Sequence, residues 1–140
     1  MSRPIKFRAW DKKRQKMFFV GGFNWHEKTW SYYVWDGKET VSDDDIELMQ
    51  FTGLHDKNGK EIWEGDILKS HWNDSAGVIR FGDFKTAEGD PDCCGNVNTH
   101  VGFYWDAETE ASMAFGYDKN GKTDKYEVLG NIYENPELLK

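Results

Sequence analysis

Along most of this chain apolar and polar side chains alternate with a period of two, the spacing of a half-buried β-strand. The first such stretch, Ile5-Lys6-Phe7-Arg8-Ala9-Trp10, puts Ile5, Phe7 and Ala9 on one face and Lys6, Arg8 and Trp10 on the other. A polar connector from Asp11 to Lys16 leads to a partner strand, Met17-Phe18-Phe19-Val20, ended by Gly21-Gly22. Residues 23–34 are rich in Phe, Trp, Tyr and Thr, which suit a pleated surface and predict one or two further strands. Trp35-Asp36-Gly37-Lys38 predicts a tight turn, because Asp-Gly supplies the positive φ that hairpins need. Ser42-Asp43-Asp44-Asp45 predicts a capped turn or short helix. Residues 47–54 then read as a strand entering a second subdomain.

The hairpin signal at His55-Asp56-Lys57-Asn58-Gly59-Lys60 is strong, with Gly59 free to take the left-handed conformation. Beyond it, alternation resumes over residues 61–69, broken at Gly65, and again over 77–82 and 101–105. Residues 84–100 are rich in Gly, Asp and Asn and predict a long loop. Asp118-Lys119-Asn120-Gly121-Lys122 repeats the turn at 56–60 letter for letter, as a favoured hairpin turn used twice. Tyr126 to Tyr133 supplies a closing strand. Asn135-Pro136-Glu137-Leu138-Leu139 predicts a cap, a proline at the first helical position and a short helical turn. Short strands spaced roughly 10–15 residues apart, with little helical periodicity, indicate a small barrel or meander. The fold class is mostly β, a β-rich α+β chain.

Composition sharpens this picture. Aromatic residues make up 16 % of the 140 positions, with seven Trp, enough bulk for a core without disulfide staples. No apolar run approaches the ~20 residues of a membrane-spanning helix. The first residues lack the apolar stretch of a secretory signal, so the expected location is the cytoplasm. The two cysteines, Cys93 and Cys94, are neighbours, which disfavours a structural disulfide and fits a reducing compartment. The net charge of −7 is unevenly spread: residues 1–16 hold seven Lys or Arg against the single acid Asp11. A basic arm beside an acidic body invites ion pairing, within one protomer or between copies.

Three blocks resemble the YopX family, small proteins carried by phages and prophages. They are Ile5-Lys6-Phe7-Arg8-Ala9-Trp10-Asp11 with Lys16-Met17, the long stretch from Met49 to Ile67, and Gly130-Asn131-Ile132-Tyr133-Glu134-Asn135-Pro136-Glu137-Leu138-Leu139. The resemblance implies an N-terminal β-rich subdomain, residues 1–48, carrying the basic arm. It implies an SH3-like small barrel over residues 49–140, with the loop 84–100, the C-terminal helical turn and Glu64-Gly65-Asp66 at the barrel's start. It implies no particular activity, catalytic residue or cofactor, and it places the protein in the cytoplasm of a bacterial host cell.

Catalytic motifs are missing from the sequence: there is no P-loop, G-x-G-x-x-G, H-E-x-x-H, C-x-x-C or G-x-S-x-G. The best metal constellation is Cys93, Cys94, His100 and His71, but adjacent cysteines depart from zinc-ligand spacing, so no metal is expected. Asp56 to Glu61 superficially suggests a calcium loop but lacks its ligand layout. No catalytic residue and no cofactor is expected, and the protein is not expected to be an enzyme. The leading expectation is protein–protein interaction, by self-association or host-protein binding. Trp is enriched in interface hot spots, and the expected surface comprises Lys6, Arg8, Trp10, Lys12, Lys13, Arg14, Trp63, Glu64 and Asp66. A second class is a nucleic-acid-binding or nucleic-acid-mimicking barrel. Nine Lys or Arg against seventeen acids beyond residue 50 oppose the binding version. A third class is a small-molecule binder or unrecognised enzyme, with the loop 84–100 covering a pocket against Trp72 and Trp105.

Overall fold

The computed structural model describes residues 4–26, 31–71, 74–88, 96–107, 113–114 and 125–139. Among the described residues strands dominate, and the two helical elements are 3-10 turns of three and four residues, so the mostly β reading holds. The chain divides into two compact units, Met1–Gly53 and Leu54–Lys140. Gly53, the last residue of the first unit, has φ 86, a left-handed conformation inside an otherwise extended strand.

In the first unit, β1 (Phe7–Asp11) lies between β2 (Lys16–Phe19) and the start of β6 (Ile46–His55), antiparallel to both. A second sheet runs β3 (Gly22–His26), β4 (Ser31–Trp35) and β5 (Thr40–Ser42) in that order. The tract at 23–34 thus yields two strands. Period-two alternation turns Ala9, Ile46, Val34 and Val41 into one core, with Phe18, Val20, Phe23 and Leu48 packed against it. Each fully buried aliphatic side chain here is worth about 1.5–3 kcal/mol. Asp43–Asp45 forms a single 3-10 turn after Ser42, whose side chain makes no cap hydrogen bond.

Burial on β1 does not follow the expected two-face division. Ala9 is fully buried, as expected, but so nearly is Trp10, at 7 % exposure, whereas Ile5 is 73 % exposed. Met49 and Phe51, which the register places on the same face as Trp10, are buried too. Both faces of this strand are covered at its C-terminal end, so alternation alone misassigns Trp10.

The second unit is a five-stranded antiparallel sheet in the order β11-β10-β9-β8-β12. Its strands are β8 (Asp66–Ser70), β9 (Ala76–Glu88), β10 (Asn96–Asp106), β11 (Met113–Ala114) and β12 (Tyr126–Asn131), with β7 (Glu61–Trp63) ahead of them. Ile62, Leu68, Ile79, Trp105 and Tyr126 form its core. Gly77 lies so close beneath Trp105 that a Cβ there would meet Trp105 Nε1 at 2.6 Å. The turn at 56–59 has Gly59 at φ 81, as the sequence requires. The C-terminal turn is 3-10, Pro136–Leu139, and it packs on β9.

The segment 84–100 departs from expectation. Its ends are not loop: β9 and β10 pair continuously from Glu88↔Asn96 to Val78↔Asp106. Polar composition suggested a loop, but cross-strand pairing overrides it, helped by Phe84, whose ring stacks on His100 at 5.4 Å and on Tyr104 at 5.5 Å. The Cys93-Cys94 pair, Trp72 and the turn at 118–122 lie outside the described residues.

Candidate interaction surface

The basic connector folds into a tight turn because Asp11 organises it. The Asp11 carboxylate, buried at 3 % exposure, accepts the backbone N–H groups of Lys13 and Arg14 on one oxygen, both at 2.9 Å. Gln15 takes φ 53 and donates its amide to the Lys12 carbonyl at 2.8 Å. The cations then find acids of the same unit. Lys13 Nζ donates to Asp45 at 2.7 Å, Lys12 Nζ lies 3.6 Å from Glu47, and the Arg14 guanidinium meets Glu39, Asp36 and Asp11. The hydrogen bond to Asp45 raises the Lys13 pKa, and the hydrogen bond to Glu39 raises that of Arg14. Asp36 is held below the usual carboxylate range by the backbone N–H groups of Glu39 and Lys38. Three expected surface cations are thus paired within their own unit. Lys6 places its ammonium 4.7 Å from the centre of the Phe51 ring, a cation–π contact.

Trp10, Trp63 and Asp66 are corrected as surface residues: they are exposed by only 7 %, 3 % and 2 %. Trp63-Glu64-Gly65-Asp66 is a built turn. Asp66 Oδ2 accepts the Trp63 N–H at 2.8 Å, Gly65 sits at φ 81, and the Gly65 N–H donates to the Ile79 carbonyl. Glu64 is half-buried in that turn, and Arg8 is half-buried in β1.

The apolar surface lies elsewhere. On β4, Tyr33 and Trp35 are 40 % and 46 % exposed, while Val34 between them is fully buried. Alternation therefore points Tyr33 and Trp35 outward from the β3-β4-β5 sheet. Trp35 is fixed there: a Cβ on Gly21 would meet its ring at 2.7 Å, and the Gly21 N–H donates to the Trp35 carbonyl at 2.9 Å. Trp25 is 71 % exposed and stacks on Phe23 at 6.2 Å. In the second unit, Phe81 and Val101 are 54 % and 72 % exposed, with Phe81 edge-on to Phe103 at 5.0 Å.

The titratable groups singled out for metal chemistry are dispersed. His71 Nε2 is 2.8 Å from Lys57 Nζ, which also pairs with Glu127 at 2.7 Å, whereas His100 stands in the β10 ladder against Phe84. Among the described residues no group of three His, Cys, Asp or Glu could hold a metal ion. Trp105, proposed as a pocket wall, is instead a core residue whose indole N–H donates to the Leu68 carbonyl at 3.4 Å.

The family description "YopX protein" matches residues 6–140, nearly the full length. The chain belongs to the YopX family. This YopX protein is similar to a solved structure, protein EF1440 from Enterococcus faecalis, at 26 % identity and a TM-score of 0.57, covering 99 % of this chain and 100 % of that one. No curated protein matches it. The sequence blocks that carry the resemblance are structural in this YopX chain: Asp11, Asp56, Asp66 and Asn131 each accept backbone N–H groups within their own turns. Gly130 is required because its Cβ would collide with the Asn135 carboxamide. The outward aromatics Tyr33 and Trp35 fall outside those blocks. Their signal was the alternation Tyr33-Val34-Trp35, in which both outward positions are aromatic.

Proposed function

We propose that this YopX protein is a phage or prophage accessory factor that acts in the bacterial cytoplasm by binding protein, either a second copy or a host protein, and not by catalysis. The observation that carries this reading is the outward face of the β3-β4-β5 sheet. Tyr33 and Trp35 present large, rigid, amphipathic side chains to solvent, the residue types that dominate interface energetics. Trp35 is held in place by Gly21, so little side-chain entropy is lost when a partner covers it.

The ion pairs around Lys12, Lys13 and Arg14 weigh against nucleic acid as the partner. Each phosphate contact would have to displace Asp45, Glu47 or Glu39 from the cation it already holds. The test is affinity capture from bacterial cells with the native chain and a Tyr33→Ala/Trp35→Ala variant of matched circular dichroism. A defined protein held by the native chain and lost by the variant is the expected result. Identical captures from both would end this reading of the surface.

A further inference from the structure

β9 is 13 residues long, yet β8 pairs with it only at Ala76, Gly77 and Val78. One further bond, Gly65 N–H to the Ile79 carbonyl, continues that side. From Phe81 onward, among the described residues, β10 is the strand that pairs with β9, and the 3-10 turn Pro136–Leu139 packs on β9 without joining its ladder, so backbone donors and acceptors of the other edge can take an incoming strand. The ribbon also outruns its own core. Ile79 and Trp105 are buried and Phe103 is half-buried, but Phe81 and Val101, farther along the same face, are 54 % and 72 % exposed.

Long exposed edges are usually defended by charged side chains, Lys above all, or by proline. The charges on this edge are of opposite sign, so they complement a second antiparallel copy rather than repel it. Asp83 and Lys85 are both exposed and flank Phe84 with charges of opposite sign. If two copies of β9 align antiparallel about a two-fold axis at Phe84, each Asp83 faces the other copy's Lys85, twice over by symmetry. Such an isologous edge is self-complementary, and it extends two ribbons into one continuous sheet.

We propose that β9 is the self-association edge of this protein, pairing with β9 of a second copy with Phe84 on the two-fold axis. The inference goes beyond the protein-binding reading above: it adds a second surface, in the other unit, and names its one partner and register. The test uses the full chain and native mass spectrometry at several concentrations, with circular dichroism to confirm folding. The native chain should dimerise. Asp83→Lys and Lys85→Asp should each weaken the homodimer by about tenfold, since like charges then oppose each other across the pair. A mixture of the two single variants should form the heterodimer, and Asp83→Lys/Lys85→Asp in one chain should restore the homodimer.

A monomeric native chain, or single variants that dimerise as well as the native chain, would overturn the proposal. A host protein captured through Tyr33 and Trp35 by a monomeric chain would leave the broader reading standing while this one fails. The two are therefore separable.

Discussion

Asp56 shows how single side chains hold this fold. Its carboxylate is 6 % exposed and accepts three backbone N–H groups, from Asn58 at 2.8 Å, Lys60 at 2.9 Å and Val128 at 3.0 Å. Burial works against the charged form, but the N–H groups of Val128, Lys60 and Asn58 together outweigh it and hold the pKa below the ordinary carboxylate range. The folded pKa thus lies below the unfolded one. The contribution of Asp56 is complete above the ordinary carboxylate range and is lost as pH falls through the folded value. Urea denaturation at a series of acidic pH values should show this loss, and Asp56→Asn should flatten it. At neutral pH that substitution should cost about 1–3 kcal/mol, because it replaces an acceptor oxygen with a donor among buried N–H groups. Gly77 is a second such point. A methyl group there collides with Trp105 and the Asp106 carbonyl, so Gly77→Ala should destabilise by about 1–3 kcal/mol in the same assay.

At the scale of elements, the turn between β1 and β2 behaves as an electrostatic clasp. Lys13 and Arg14 reach acids on the 3-10 turn at Asp43–Asp45 and on the hairpin at 36–39, so reversing their charges acts first on the unit's own stability. A Lys13→Glu/Arg14→Glu variant should unfold at lower urea than the native chain in dilute buffer. The gap should narrow near 1 M salt, where screening shortens to ~3 Å. The turns were legible in the sequence because their chemistry is local: Asp36-Gly37 and Asn58-Gly59 admit few other conformations. The strands were legible from alternation. What escaped was which faces meet a neighbour. The Trp10 side of β1 reads as solvent-facing beside Lys6 and Arg8, yet it is buried. The polar arms of the β9-β10 ribbon read as loop because their pairing is with each other, at a distance the local pattern does not encode.

At the scale of the molecule, each unit carries its own apolar cluster, and the denser aromatic one is in Leu54–Lys140. Amide hydrogen exchange should find its slowest positions around Leu68 and Ile79 in β8 and the base of β9, with faster exchange from Phe81 outward along the ribbon. A uniform rate along β9 would contradict this gradient. Between base and tip, Gly82 and Gly102 stand opposite each other, and a Cβ on either would meet open space. That rung has no side chains to set the local twist, so the direction of the tip is decided at one step of the ladder. Of the two, Gly82 holds φ 157, where an L side chain is strained, so Gly102 is the position at which a side chain can alter the twist and re-aim the far end of the arm.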